Sequence, residues 1–298
     1  MRKFLLLSTM VLVALLASAQ NKIAPKLQKG DRKVYNLEMI INGAGQKELK
    51  LSTVEEITVA EQQADGYVLE LVTTSVKSDA AGDAMNRIVA LSQELVANAR
   101  IRLLTDKVGR PLKLLNFNEV KQKCEAMTGK LIDELLAKVP EVKSIGNKDA
   151  LMKQLQSNIT EEALLKSMNA TTNPLALNGK TISMGAQDEY VDETGLKIKR
   201  MFFPAADGTV TVTSSLNMNK DEIKQLIISQ VEKIAPAQAE MVKQNIDMIL
   251  QTDAVKVDMT EKATYTFAPD GWVKTITAEK NNESMGQKIS QKATITLQ

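Results

Sequence analysis

The stretch Ala263–Glu279 (Ala-Thr-Tyr-Thr-Phe-Ala-Pro-Asp-Gly-Trp-Val-Lys-Thr-Ile-Thr-Ala-Glu) does most to constrain the fold. Apolar and polar residues alternate on both sides of Pro269-Asp270-Gly271, which predicts two antiparallel strands closed by a tight turn. A weaker echo lies far upstream at Ile101–Asn116, where Gly109 is followed by Arg110 and not by an aromatic. The pair of hairpins points to a doubled unit. Because the echo lacks an aromatic, Trp272 is expected to serve packing, and the hairpin marks architecture, not a binding site.

Period-two alternation recurs elsewhere. Tyr35, Leu37, Met39 and Ile41 define one side of a strand over Val34–Asn42, and Gly43-Ala44-Gly45 follows as a turn. Leu49, Leu51, Ile57 and Val59 mark a second strand, interrupted on the same side by Thr53 and Glu55. After Ala64-Asp65-Gly66 comes a third strand, Tyr67–Val76. Short turns between consecutive strands imply an antiparallel meander. In Ala84–Arg100 the period changes to three and four, the mark of an amphipathic helix. Asn116 with Glu119 reads as a reciprocal cap opening a helix that runs to about Val139 and stops at Pro140. Shorter helical patterns follow near Asn147–Gln156 and Thr160–Met168.

The second half repeats this order. Lys180–Val191, Leu196–Phe203 and Thr209–Leu216 read as strands, separated by Glu193-Thr194-Gly195 and by a turn containing Asp207-Gly208. Asn219 and Glu222 cap a helix over Asp221–Ile234, and Pro236 must kink or end it before Ala237–Gln251 resumes. Strand patterns return at Val255–Phe267, Trp272–Glu279 and Ser290–Leu297. The expected fold is therefore α+β: one or more curved antiparallel sheets, covered on one face by amphipathic helices. Two similar halves, 20–170 and 171–298, each carry three strands, a helical segment and a hairpin.

The first residues read as a targeting device. Arg2 and Lys3 precede the apolar run Phe4–Leu16, and Ala17-Ser18-Ala19 supplies the small residues of a cleavage site. Residues 1–19 are thus expected to be a signal peptide, cut between Ala19 and Gln20, giving a periplasmic or secreted protein. The apolar run is shorter than the roughly 20 residues of a membrane span, and no later stretch is apolar enough for one. Removing Arg2 and Lys3 leaves the 36 acids of the chain matched by as many bases. That balance, with 3% aromatic residues, argues against nucleic acid as a partner. Cys124 is the one cysteine, in register with Phe117, Val120, Met127 and Leu131 on a helix face. It is expected to be a buried, inert thiol, with an intermolecular disulfide as the lesser reading.

Candidate chemistry is sparse. The chain has no histidine, which removes imidazole triads, imidazole metal sites and pH switching near neutrality. One cysteine cannot build a thiolate zinc site, and no Ser-x-x-Lys occurs. Asp188, Glu189, Asp192 and Glu193 crowd one strand end, and Glu55-Glu56 sit in another. Adjacent strand residues point to opposite faces, so Asp188 and Glu189 cannot converge as neighbours. The cluster is read as solvated edge charge, ahead of a calcium site or a carboxylate-based hydrolase. Catalytic, cofactor-binding and metal-ligating residues are therefore expected to be none. Of 14 methionines, Met39, Met127, Met168, Met201, Met241 and Met248 lie on helical or strand faces, where they fill cores or line an adaptable apolar cavity.

Three features together carry a resemblance: the Ala-x-Ala signal with Gln20, the opening Leu27-Gln-Lys-Gly30-Asp31, and the closing Tyr265-x-Phe267…Asp270-Gly271-Trp272-Val273 hairpin. They resemble a family of uncharacterised exported proteins of Bacteroidota with a domain of unknown function. That resemblance carries no catalytic residues. The sheet-plus-helix layout is similar to periplasmic lipid and lipoprotein carriers of the LolA/LppX type, a likeness of fold. The expected function is noncatalytic: holding a lipid, a lipoprotein-like ligand or an envelope partner between sheet and helices. A structural or interaction protein without a ligand cavity is the alternative.

Overall fold

The computed structural model describes residues 21–43, 48–79, 99–138, 148, 152, 156, 159–191, 196–234, 236–250, 257–284 and 287–298. The expected signal peptide and its cleavage site, the expected helix Ala84–Arg100 up to residue 98, most of 147–156 and the turn Glu193-Thr194-Gly195 lie outside these residues; the last residue of that expected helix, Arg100, instead opens a strand.

Thirteen strands are present among the described residues: β1 (Asn21–Lys22), β2 (Arg32–Gly43), β3 (Leu49–Gln63), β4 (Gly66–Ser78), β5 (Arg100–Asp106), β6 (Pro111–Leu114), β7 (Thr181–Ile182), β8 (Gln187–Val191), β9 (Lys197–Pro204), β10 (Val210–Met218), β11 (Val257–Phe267), β12 (Val273–Ser284) and β13 (Gln287–Leu297). Four helices accompany them: α1 (Phe117–Lys138), α2 (Glu161–Ser167), α3 (Lys220–Ile234) and α4 (Pro236–Ile249). Strands β2–β6 and β8–β13 form one antiparallel sheet in the order β6-β5-β4-β3-β2-β13-β12-β11-β10-β9-β8. Every neighbour is also a sequence neighbour except β2 and β13, which pair through Tyr35–Leu297 to Gly43–Ile289. The strands of both halves therefore share a single sheet, open at β6 and β8.

The local signals act as their chemistry requires. In the opening hairpin, Gly271 adopts φ 81°, and its N–H donates to Ala268 O at 2.8 Å. A Cβ there would lie 3.0 Å from Ala24 O. Asn219 and Glu222 form the full reciprocal cap, each side chain accepting from the other's backbone N–H at 2.9 Å. Asn116 does not: its Oδ1 accepts from Arg102 N across the hairpin, and its amide donates to Glu119. Sheet pairing wins that side chain from the helix. Pro236 is the first residue of α4, where its missing N–H costs nothing. The expected strand Lys180–Val191 is split into β7 and β8 by a turn in which Gly185 has φ 71°.

The cover of the sheet departs from expectation. Its inward face carries Tyr35, Ile57, Val59, Leu69, Leu103, Val210, Tyr265 and Ile276, and what buries them is mostly not helical. At this end the segment from Met168 to Ile182, with Ile23 and Leu27 of the lead-in, forms a plug contributing Met168, Leu175, Leu177 and Ile182 to the same cluster. It touches both edges. Asn178 Nδ2 donates to Gly109 O in the β5–β6 turn, and Leu114 N of β6 donates to Glu161 of α2. On the other side Arg200 of β9 donates to Asn169 O. The sheet thus curls round a short irregular insert, because β1–β7 pairing and turns satisfy that segment's backbone. Helices α3 and α4 pack chiefly on each other, through Ile223, Ile246 and Leu250.

Replacing Gly271 by Ala meets both a left-handed backbone and a close backbone oxygen, and should cost about 1–3 kcal/mol in chemical denaturation. Gly208→Ala, at φ 84° with open space around it, should cost less, about 1–2 kcal/mol. Leu177→Ala, in the plug and 1% exposed, should cost about 2–5 kcal/mol.

Candidate functional site

The strand registers align inward-facing residues into rows that run across the sheet. One row reads Phe202, Val212, Ala263, Ala278, Ala293, Met39 and Leu51 from β9 to β3, apolar throughout. The next row, farther from the plug, reads Asp188, Arg200, Ser214, Glu261, Lys280, Gln291, Ile41 and Leu49. Beyond it stand Leu216, Met259, Asn282 and Ile289. A charged and polar row thus crosses a largely apolar face.

Half of that row latches the plug. Arg200 is 2% exposed. Its Nε and Nη2 donate to the two carboxylate oxygens of Asp188, each at 2.8 Å, and Nη1 donates to Asn169 O at 3.1 Å. The guanidinium lies 4.3 Å from the Tyr190 ring centroid. Lys180 Nζ donates to Asp188 at 2.5 Å. Burial opposes ionisation of Asp188, but the hydrogen bonds from Arg200 and Lys180 outweigh it and hold the carboxyl below its ordinary range. Farther along, Thr171 Oγ1 donates to Glu261, and the Tyr265 hydroxyl donates to Thr171 O at 2.5 Å. Burial, then the charge of Glu261, pushes the Tyr265 hydroxyl far above the usual tyrosine range.

Elsewhere in the row Gln291 Nε2 donates to Met39 Sδ at 3.1 Å. Among the described residues, the buried hydroxyl of Ser214, 3% exposed, has no hydrogen-bond partner, and neither has the buried Oδ1 of Asn282 in the row beyond. At the plug end Ile57, Val59, Leu69, Leu103, Val210, Tyr265 and Ile276 are sealed from solvent. Past the polar row Leu216 is half-buried and Ile289 is 43% exposed, whereas Met259 between them is buried and Met218 packs against the α3–α4 cluster. On the plug side of that row and within it, Met39 and Ile41 are half-buried beside the buried Leu51 and Leu49. The apolar inward face is therefore only partly covered at this end. The open hollows on the opposite, outer face are different in kind. Those of about 550 and 440 Å³ are lined by polar strand residues such as Lys50, Lys77 and Lys292, or Lys199, Thr213 and Lys262.

The residues singled out from sequence fall out as follows. Glu189 points outward toward Lys197 at 3.8 Å, whereas Asp188 is no solvated edge charge: it is the half-buried partner of Arg200 and Lys180. The edge reading failed because the plug covers the inward side of β8. Asp192 and Glu193 are outside the described residues. Glu56 faces out to Arg32, while Glu55 faces inward, where burial raises its carboxyl above the ordinary range. Trp272 is packed, its Nε1 donating to Lys26 O. Met168 is core, Met39 is half-buried on the inward face, Met201 is half-buried on the outer face and Met241 is exposed; the side chains of Met127 and Met248 are outside the description. Cys124 is half-buried, and burial pushes its thiol up. Among the described residues, no group of three or more His, Cys, Asp or Glu is placed to hold a metal, and no helix is long and apolar enough to cross a membrane. The polar row was missed, although its signal was present: Arg200, Glu261 and Gln291 each share strand parity with apolar residues on both sides.

Arg200→Met should cost about 3–5 kcal/mol, since it leaves Asp188 without its main partner. Arg200→Lys should recover only part, having neither the fork nor the stacking plane. The pH dependence has opposite signs at the two carboxyls. Asp188 titrates below its unfolded value, so its contribution is full above the carboxylate range and lost as pH falls through the lowered value. Asp188→Asn should therefore flatten acid denaturation. Glu55 titrates above its unfolded value, so Glu55→Gln should match the parent in acid and exceed it in melting temperature above that range.

No family model matches the chain, and no curated protein sequence matches it. A lipovitellin structure, described under lipid–protein interactions in lipovitellin, aligns at 11% identity with a TM-score of 0.40, over 91% of this chain and 25% of the lipovitellin chain. The chain spans a quarter of that protein's length, and the likeness is too distant to carry an argument.

Proposed function

We propose that the chain is a noncatalytic binding protein of the cell envelope, periplasmic or secreted, that holds an apolar or amphipathic ligand against the uncovered end of the inward face. One observation carries the reading: the apolar face outruns its plug. Residues near Tyr265 and Ile57 are sealed, whereas Met39, Ile41 and Leu216 on the same face are half-buried and Ile289 is exposed. Exposed apolar surface gathered on a concave face is costly in water unless something covers it, at roughly 25 cal/mol per Å². The helix pair α3–α4 meets the sheet through Met218 and Val257, and this cluster is separate from that of Leu49 and Leu51 on the other side of the same end.

A second reading, a surface-acting interaction protein without a ligand, is favoured by Leu112 and Leu115 beside edge strand β6, exposed at 49% and 42%. Titration with the uncharged dye N-phenyl-1-naphthylamine separates the two. The expected result is a saturable rise in fluorescence, displaced by monoolein and weakened about tenfold by Ile41→Asp or Leu216→Asp in protein that still unfolds cooperatively. Absence of saturable binding, or insensitivity to both substitutions, would overturn the ligand reading and leave the surface one.

A further inference from the structure

We propose that the exported chain carries a pyroglutamate at its amino end, formed from Gln20, and that this ring protects a segment the fold cannot spare. The inference rests on the export part of the reading above and adds a modification to it.

The residues just after the expected cleavage site are structural. Asn21 and Lys22 form β1, paired with Ile182 and Thr181. Ile23 N donates to Lys180 O at 2.9 Å, and Ile23 O accepts from Gly179 N at 2.8 Å. Lys26 N then donates to Asp270 O at 2.8 Å, and Lys26 O accepts from Trp272 Nε1 at 3.3 Å. Ile23, Pro25 and Leu27 are buried, alternating with exposed Lys22, Ala24 and Lys26. Ile23 and Leu27 belong to the main apolar cluster. The backbones approach closely: a Cβ on Gly271 would lie 3.0 Å from Ala24 O, and one on Gly109 would lie 3.2 Å from Leu27 Cδ1. The stretch from Asn21 to Leu27 thus joins the plug, the β11–β12 hairpin and the β5–β6 turn.

A stretch in that position is vulnerable from its end. Proteolysis concentrates at chain termini, and here the new amino end, Gln20, directly precedes β1. Each residue trimmed beyond it removes part of the β1–β7 pair and then Ile23, whose apolar surface would be lost from the core. Glutamine in that position closes the end by its own chemistry. The uncharged α-amine attacks Cδ of the side-chain amide and makes a five-membered lactam. A C–N bond forms, the Cδ–Nε2 bond breaks, and ammonia leaves with a proton from the amine. No oxidant or co-reactant is needed. The product has no free amine for an aminopeptidase to hold and no terminal positive charge. In the precursor the same nitrogen belongs to the Ala19–Gln20 peptide bond, where resonance removes its nucleophilicity, so the ring closes only after processing.

Intact-mass and amino-terminal peptide analysis tests this on the full chain, expressed in an exporting host, recovered from its envelope and measured without storage. The terminal peptide should start at residue 20 and be lighter than its encoded mass by one ammonia. The protein should resist a broad-specificity aminopeptidase until pyroglutamyl aminopeptidase opens the end. Gln20→Asn, whose side chain is a methylene too short for the five-membered ring, should start at the same residue with its full mass. The same aminopeptidase should shorten this variant and lower its melting temperature by about 5 °C or more as β1 and Ile23 are lost. A terminus at residue 20 that keeps its ammonia, or one at another residue beyond the signal, overturns the ring while export stands. Equal resistance of Gln20→Asn to trimming overturns the protective role. A chain recovered with residues 1–19 still attached overturns export and the ring together.

Discussion

The ladder between β2 and β13 is the interaction on which the rest of the structure depends. Every other pairing in the sheet joins strands that are neighbours in sequence, so each half can build its own meander locally. The nine paired residues from Tyr35–Leu297 to Gly43–Ile289 are what turn two meanders into one continuous inward face. Without them, the plug would have no curved sheet to fill, and the polar row would be cut between Gln291 and Ile41. Closing this pairing across nearly the whole chain carries the loop entropy of a long-range contact, which must be recovered by burial on the joined face.

The joined face is divided along its length. At one end a short insert, tied by turns, by the β1–β7 pair and by the Arg200–Asp188–Lys180 latch, seals the apolar residues. A buried ion pair of this kind contributes little net stability against an apolar substitute, but breaking one side of it is expensive. Its role is to fix where the plug ends. The row containing the latch is the boundary, and past it Ile289 is exposed while Met259 is buried and Met218 meets the α3–α4 cluster.

Much of the architecture was legible from residue order. Alternation located the strands, Asp207-Gly208 and Pro269-Asp270-Gly271 located two hairpins, and Asn219 with Glu222 located the start of α3. Where sequence reading misjudged, a nonlocal partner was responsible. Asn116 looked like a helix cap and instead bonds Arg102 across the hairpin. Asp188 looked like edge charge because its partner Arg200 lies on another strand and the plug over it has no periodicity. The polar row gave a faint local signal, a charge at apolar parity in each of several strands. Its meaning appears only when the registers bring those charges side by side.

By itself the sequence determined the period of each strand and helix, the turns that reverse the chain, the absence of imidazole chemistry and the lack of any later membrane-length apolar run. Those properties are local or compositional, and neighbouring residues suffice to set them. Tertiary structure alone decided that the halves share one sheet, that an irregular segment and not the helices covers one end of it, and that Asp188 meets Arg200 and Lys180. The physical reason is that burial and pairing depend on which distant groups arrive at the same place, and here that is set by strand register and by the join between β2 and β13.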